Sequence, residues 1–258
     1  MIANYHTHTP RCNHASGSEE EYIQLAIARG IKLLGFADHA PMPFTDGHYS
    51  GFRMTLEQFP DYIETLLALR EKYRGQIDIR IGLEAEYYPA VFPRMLEFIK
   101  PYPVEYLILG QHFLRNEEPG ELPCSKQTEE EARLVLYVDQ VVEGLKTGRF
   151  SYLAHPDLLN YVGDDGIYRR EMTRLCKAAK ELDIPLEINL LGLATGRHYP
   201  RDRFWQIAAE CGNTAILGCD AHEVVRMAVP AEIEAGLAIV KKHHLSLIEE
   251  LPLRPVHP

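Results

Sequence analysis

Along this chain, short apolar runs end again and again in a histidine or a carboxylate, and helical segments separate them. Ile2-Ala3-Asn4-Tyr5-His6-Thr7-His8-Thr9 reads as a strand closing in histidines, with His14 in the loop beyond. His6 and His8 stand two residues apart, so an extended backbone projects both imidazoles to one side. Lys32 to Ala37 is the next strand and closes in Asp38-His39. Ile77 to Leu83 runs into Glu84 and Glu86, and Tyr106 to Leu109 into Gly110-Gln111-His112. Phe150 to Ala154 ends in His155-Pro156-Asp157, Pro185 to Ile188 near Asn189, and Thr214 to Gly218 in Asp220 and His222.

Helical signals lie between these runs. Ser18 is an N-cap for Glu19 to Gly30, and Gly30 is the stop. Thr55 to Tyr73, Val91 to Ile99, Thr128 to Lys146, Glu171 to Leu182, Arg201 to Cys211 and Pro230 to His243 read as further helices. Asn116 to Gln127 reads as a polar loop and Leu245 to Leu251 as a terminal strand. Alternating strands and helices imply a parallel sheet. No linker interrupts them, so residues 1–258 are expected to form a single domain. An open sheet spreads its strand ends along a line, whereas a barrel gathers them on one face, where active sites of such folds lie. The repeated titratable ends favour an α/β barrel of about seven strands.

The net charge of -10 argues against a nucleic-acid-coating surface, which is normally basic. It leaves an anionic small substrate open, because bound cations dominate a local field. No apolar run approaches the roughly 20 residues of a membrane-spanning helix, and no signal peptide is evident, so a cytoplasmic protein is expected. The five cysteines are scattered without a C-x-x-C and read as reduced thiols; Cys12, near the histidines, reads as a bystander.

His6, His8, His14, Asp38, His39, Glu84, His112, His155, Asp220 and His222 are too many donors for one tetrahedral ion and suit two or three ions sharing a carboxylate. Imidazole with carboxylate suits Zn, Fe or Mn better than Ca or Mg. A single Asp-His or His-Pro at a strand end is often only a turn. A buried set of titratable groups, however, is costly unless paired or metallated, and their joint placement points to metal.

These pieces together resemble the PHP (polymerase and histidinol phosphatase) family of metal-dependent phosphoesterases. The matching segments are His6-Thr7-His8-Thr9, His14, Phe36-Ala37-Asp38-His39, Gly82-Leu83-Glu84, Gly110-Gln111-His112-Phe113, Ala154-His155-Pro156-Asp157, Glu187-Ile188-Asn189 and Gly218-Cys219-Asp220-Ala221-His222. Asp38-His39-Ala40-Pro41 and Arg197-His198-Tyr199-Pro200 resemble the histidinol-phosphatase branch. The resemblance implies a distorted (β/α)7 TIM-like barrel with three divalent metal ions. It implies His6, His8, Glu84 and Asp220 on the first ion, Glu84, His112 and His155 on the second, and His14, His39 and His222 on the third. It implies hydrolysis of L-histidinol phosphate, a small phosphorylated substrate, in histidine biosynthesis.

Arg197, Asn189 and Glu86 are expected to contact the phosphate or substrate, with Phe44, Tyr49 and Phe52 nearby. Asp157 and His39 are candidate proton donors for the leaving alkoxide. Asp38 is expected to orient a ligand imidazole. The alternative within the family is another small ester, a mononucleotide or phosphodiester. An amidohydrolase is disfavoured because no lysine ends the third strand where Glu84 would bridge. A non-catalytic metal-stabilised module is disfavoured by the complete donor set.

Overall fold

A computed structural model describes residues 1–45, 47–117 and 122–257 of the chain. The polar loop expected at Asn116 to Gln127 therefore lies partly outside the described residues. Eight parallel strands stand side by side in sequence order. They are β1 (Ala3–Asn4), β2 (Leu33–His39), β3 (Asp78–Ala85), β4 (Tyr106–Leu109), β5 (Phe150–Leu153), β6 (Leu186–Asn189), β7 (Thr214–Gly218) and β8 (Ser246–Leu247). The helices are α1 (Glu19–Ala28), α2 (Phe59–Lys72), α3 (Phe92–Ile99), α4 (Glu131–Lys146), α5 (Asp165–Glu181), α6 (Leu190–Ala194), α7 (Asp202–Glu210) and α8 (Pro230–His243). Among the described residues, no helix is long and apolar enough to cross a membrane.

The sheet curls into a distorted TIM-like barrel, and its two ends are joined differently. Beyond β1 and β7 the chain bridges in parallel from Thr7 to Ala221, and the His8 N–H donates to the Ala221 carbonyl at 3.0 Å. Cys219 N–H donates to Asn4 Oδ1 at 2.9 Å, one step below. At the opposite end the tail takes over: β8 pairs with the start of β7, and Leu251 N–H donates to Tyr5 Oη at 3.1 Å. The terminal strand expected over Leu245 to Leu251 is thus a two-residue eighth strand.

Two helices depart from the sequence expectation. Asp164 accepts from the Ile167 N–H at 2.9 Å, so α5 begins six residues before Glu171. The Asp164-Asp165-Gly166 run has the composition of a turn, but an aspartate with a free N–H three residues on is also an N-cap. Helix α6 is a single unforeseen turn that Asn189 starts by accepting from Gly192 N–H at 2.8 Å.

One apolar core lies between the sheet and its helices. A second, smaller one fills the barrel and includes Tyr5, Tyr106, Tyr152, Ile108 and Ile216. Tyr106 Oη donates to the Tyr5 carbonyl at 2.8 Å and lies 3.2 Å from that of Phe36. A Cβ at Gly35 or Gly82 would stand 2.2 or 2.3 Å from Tyr106 side-chain atoms, so the ring owes its place to two glycines. The strand ends above this packed interior face a single large cavity.

Candidate metal centre

Glu84, at the end of β3, lies at the middle of the histidines. Its Oε2 is 3.6 Å from His6 Nε2, 3.5 Å from His8 Nε2 and 3.0 Å from His39 Nδ1. Its Oε1 is 2.8 Å from His155 Nε2 and 3.6 Å from His112 Nε2. Asp220 closes the set, with Oδ1 at 3.5 Å from His6 Nε2 and 3.1 Å from His8 Nε2. His14 and His222 stack with centroids 4.6 Å apart, and His222 stacks on His8 at 4.0 Å. All nine residues that the resemblance implies as metal donors meet here.

Donor atoms within 4.8 Å of one another form overlapping groups: His6, His8 and Glu84; His6, His155 and Asp220; His39, Glu84 and His112; His14, His39 and His222. Cys12 joins His8 and His222 in a further group, which brings the expected bystander to the edge of the centre.

A set of acceptors outside this ring aims the imidazoles. His6 Nδ1 is 2.7 Å from Glu187 Oε1, His112 Nδ1 2.8 Å from Glu86 Oε1, and His8 Nδ1 3.3 Å from Asp38 Oδ1. His14 Nδ1 meets the Cys12 carbonyl at 2.7 Å, and His222 Nδ1 the Asp220 carbonyl at 3.0 Å. Ionised carboxylates and carbonyls only accept, so each Nδ1 carries a proton and each Nε2 is the atom left to face the centre. Among the described residues, the buried Nε2 atoms of His6, His8 and His222 have no hydrogen-bond partner. Buried acceptors without partners are costly, and a divalent cation is the partner this donor chemistry fits.

Burial disfavours a charged His6, but Glu187, Asp220 and Glu84 outweigh it and raise its pKa to about 10, so a cation at Nε2 would take the place of a proton there. Burial would raise the Glu84 and Asp220 carboxyls, yet the surrounding histidines hold both well below the usual range. Burial and neighbouring His8 and His14 push His222 down to about 3. The centre thus holds ionised carboxylates that attract a cation and, on the His222 side, an imidazole kept neutral for ligation. Two of its residues sit in left-handed backbone, His155 at φ 28° and Asp220 at φ 48°. That conformation is costly for histidine and concentrates at functional sites.

The cavity above the centre encloses about 700 Å³. Phe52, Phe113, Leu158 and Leu191 form its apolar walls, and Arg197, His198 and Tyr199 one rim. Arg197 Nη1 donates to Tyr199 Oη at 2.5 Å, and its charge is felt by Asp220 and Glu84. His198, from the same Arg197-His198-Tyr199-Pro200 segment, lines the cavity and donates from Nε2 to the Leu158 carbonyl at 2.7 Å.

Several roles expected from sequence change. Glu86 is fully buried, with one oxygen on His112 and the other on Arg53, so it orients a donor and does not reach substrate. Asn189 is also fully buried: its Nδ2 donates to Glu187 Oε2 at 2.9 Å and Asp220 Oδ2 at 3.0 Å while its Oδ1 caps α6. Asp157 faces the helix layer, where its Oδ2 accepts the Arg201 N–H at 2.6 Å, and it does not line the cavity. Burial pushes its carboxyl up to about 7, and its bond to Arg201 ties it to the loop that carries Arg197. Tyr49 is 65% exposed and Phe44 packs on His48, leaving Phe52 as the cavity aromatic of that loop. Glu187 is a residue whose role sequence reasoning missed, although it faces the same side of β6 as Asn189, two residues on.

The PHP domain model matches residues 4–190. The chain belongs to the PHP family. Among curated PHP relatives, a probable histidinol-phosphatase of Deinococcus radiodurans is 30% identical over 230 residues, covering 86% of each chain. A putative histidinol phosphatase from Listeria monocytogenes superposes with a TM-score of 0.75 at 18% identity, over 90% of this chain and 99% of that one. Histidinol phosphate phosphatase from Lactococcus lactis, solved with zinc, L-histidinol and phosphate, gives 0.72 at 18% identity, over 96% and 95%. These structural likenesses place the barrel among PHP folds.

Proposed function

We propose that this protein is a metal-dependent phosphomonoesterase that hydrolyses L-histidinol phosphate to L-histidinol and phosphate. The observation that carries the reading is the centre itself: nine converging donors, three of them buried Nε2 atoms with no hydrogen bond among the described residues, beneath a cavity with an arginine on its rim. The substrate comes from the Deinococcus radiodurans relative, which bears the name probable histidinol-phosphatase and aligns over 86% of both chains.

In this reading His6, His8, Glu84 and Asp220 hold one ion, Glu84, His112 and His155 a second, and His14, His39 and His222 a third. Zinc, iron or manganese fits these donors. Such ions neutralise phosphate charge and bring the pKa of water toward neutrality. Arg197 grips phosphate oxygens with its planar fork, and its bond to Tyr199 limits its freedom before substrate arrives. Glu187, Glu86 and Asp38 keep the Nε2 atoms of His6, His112 and His8 aimed inward. Burial holds His39 well below the usual imidazole range, so it is neutral, serves as a donor atom and is no proton source. The apolar walls exclude water around the ester.

The test is a comparison of purified, zinc-loaded protein on L-histidinol phosphate, a mononucleotide and a phosphodiester. L-histidinol phosphate is expected to give a kcat/KM at least about tenfold above the other two, a difference of ~1.4 kcal/mol in transition-state binding. A mononucleotide equal to it or better overturns the substrate assignment, and metal-free protein with full activity overturns the chemistry.

A further inference from the structure

Arg53 lies in the loop after β2, is 2% exposed, and has no part in any motif. Its Nη2 donates to Glu86 Oε2 at 2.9 Å and also meets Glu117. Its Nη1 donates to the Ala40 carbonyl at 2.7 Å and its Nε to Ser50 Oγ at 3.2 Å. One fork therefore joins three segments: its own loop, the end of β3, and the loop after β4. Glu86 continues the chain inward, accepting from His112 Nδ1 at 2.8 Å while His112 Nε2 faces Glu84 at 3.6 Å.

The neighbouring residue connects this clamp to the cavity. Phe52 lines it, edge-on to His39 at 5.1 Å and to His112 at 5.9 Å between centroids. Arg53 Cζ sits 4.4 Å from the Phe52 ring centroid, so the guanidinium supports that ring from behind. A lysine has one compact ammonium on a flexible stem and does not span these acceptors. Without a cation between them, Glu86 and Glu117 would be two buried carboxylates converging on one point.

We propose that Arg53 is a positioning residue for the second metal position: it fixes Glu86, Glu86 fixes His112, and the same guanidinium seats Phe52 against the cavity. The inference rests on the metal-centre reading above. It makes the cavity wall and one donor histidine parts of a single rigid unit.

Zinc titration against a competing chelator tests it, on the full chain and on Arg53→Lys, Glu86→Ala and the double variant, with kinetics on L-histidinol phosphate alongside. Arg53→Lys is expected to weaken one zinc by about tenfold or more and leave the others unchanged, as loss of an outer-shell partner does. Its kcat falls about tenfold or more with KM within roughly threefold, and the double variant binds zinc no more weakly than Glu86→Ala. Zinc binding by Arg53→Lys within about twofold of wild type, or losses that multiply in the double variant, overturns the inference. If Arg53→Lys does not fold, the Arg53→Met/Glu117→Gln pair, which removes a carboxylate with the cation, replaces it in the titration: a tenfold weaker zinc supports the inference and wild-type binding overturns it. Wild-type protein that binds no zinc overturns the metal-centre reading instead.

Discussion

Gly110 and Gly218 leave room for carboxylates. A Cβ at Gly110 would stand 1.9 Å from Glu84 Oε1, and one at Gly218 would stand 1.8 Å from Glu187 Oε1. One methyl at Gly110 therefore has to displace the carboxylate around which His6, His8, His39, His112 and His155 are arranged. Gly110→Ala is expected to cut kcat/KM by about 100-fold or more, since misplacement by about 1 Å at a reacting centre costs that much. Bound metal per chain should fall with it. A fully loaded, fully active Gly110→Ala protein would show that Glu84 tolerates the shift. Such glycines resemble flexible turn residues in a sequence, and only the packed geometry shows what fills the space.

At the scale of elements, each strand delivers its donors through the same rule, that alternate residues of a strand share a face. That rule makes the centre legible from spacing: His6 with His8, and Glu84 at the end of its strand. The rule is silent on depth. Glu86 has the same parity as Glu84, yet the bend after β3 buries it against Arg53 and His112. Asn189 is likewise a strand-end residue, but its side-chain Oδ1 is taken by a helix turn too short for periodicity to reveal. Asp157 follows the His-Pro corner, and that corner turns it to the helix layer. Arg53 offers no signal, since its partners come from three loops or strand ends brought together only by folding. Within the barrel, Tyr106 ties β4 to the segments around Tyr5 and Phe36. Tyr106→Phe strands a buried carbonyl partner and should cost about 1–3 kcal/mol in urea unfolding, with kcat little changed. A large loss of kcat at unchanged stability would place Tyr106 in the chemistry instead.

For the molecule as a whole, barrel closure and the metal centre share residues. The bridge from Thr7 to Ala221 runs between His6 and His8 on one side and Asp220 and His222 on the other. Ions held by those side chains, as proposed above, would join the first and seventh strands a second time. Removing them should therefore weaken the fold as well as abolish turnover. A ligand present at about 1,000 times its Kd stabilises by ~4 kcal/mol. For a chain of this size that corresponds to a Tm about 10 °C lower after chelation, read by differential scanning fluorimetry. Restored zinc should return both Tm and activity. An unchanged Tm in metal-free protein would mean that the hydrogen bonds alone hold the seam.

The tyrosines filling the barrel also make it a vessel with one mouth. Tyr5, Tyr106 and Tyr152 pack the floor beneath the strand ends, so among the described residues no passage opens to the far side. Whatever is released inside has to back out through the opening by which the next molecule enters. Inorganic phosphate should therefore compete with the incoming ester, raising the apparent KM in proportion to its concentration while the limiting rate stays fixed. A purely noncompetitive pattern in steady-state kinetics would mean that phosphate binds without excluding the ester.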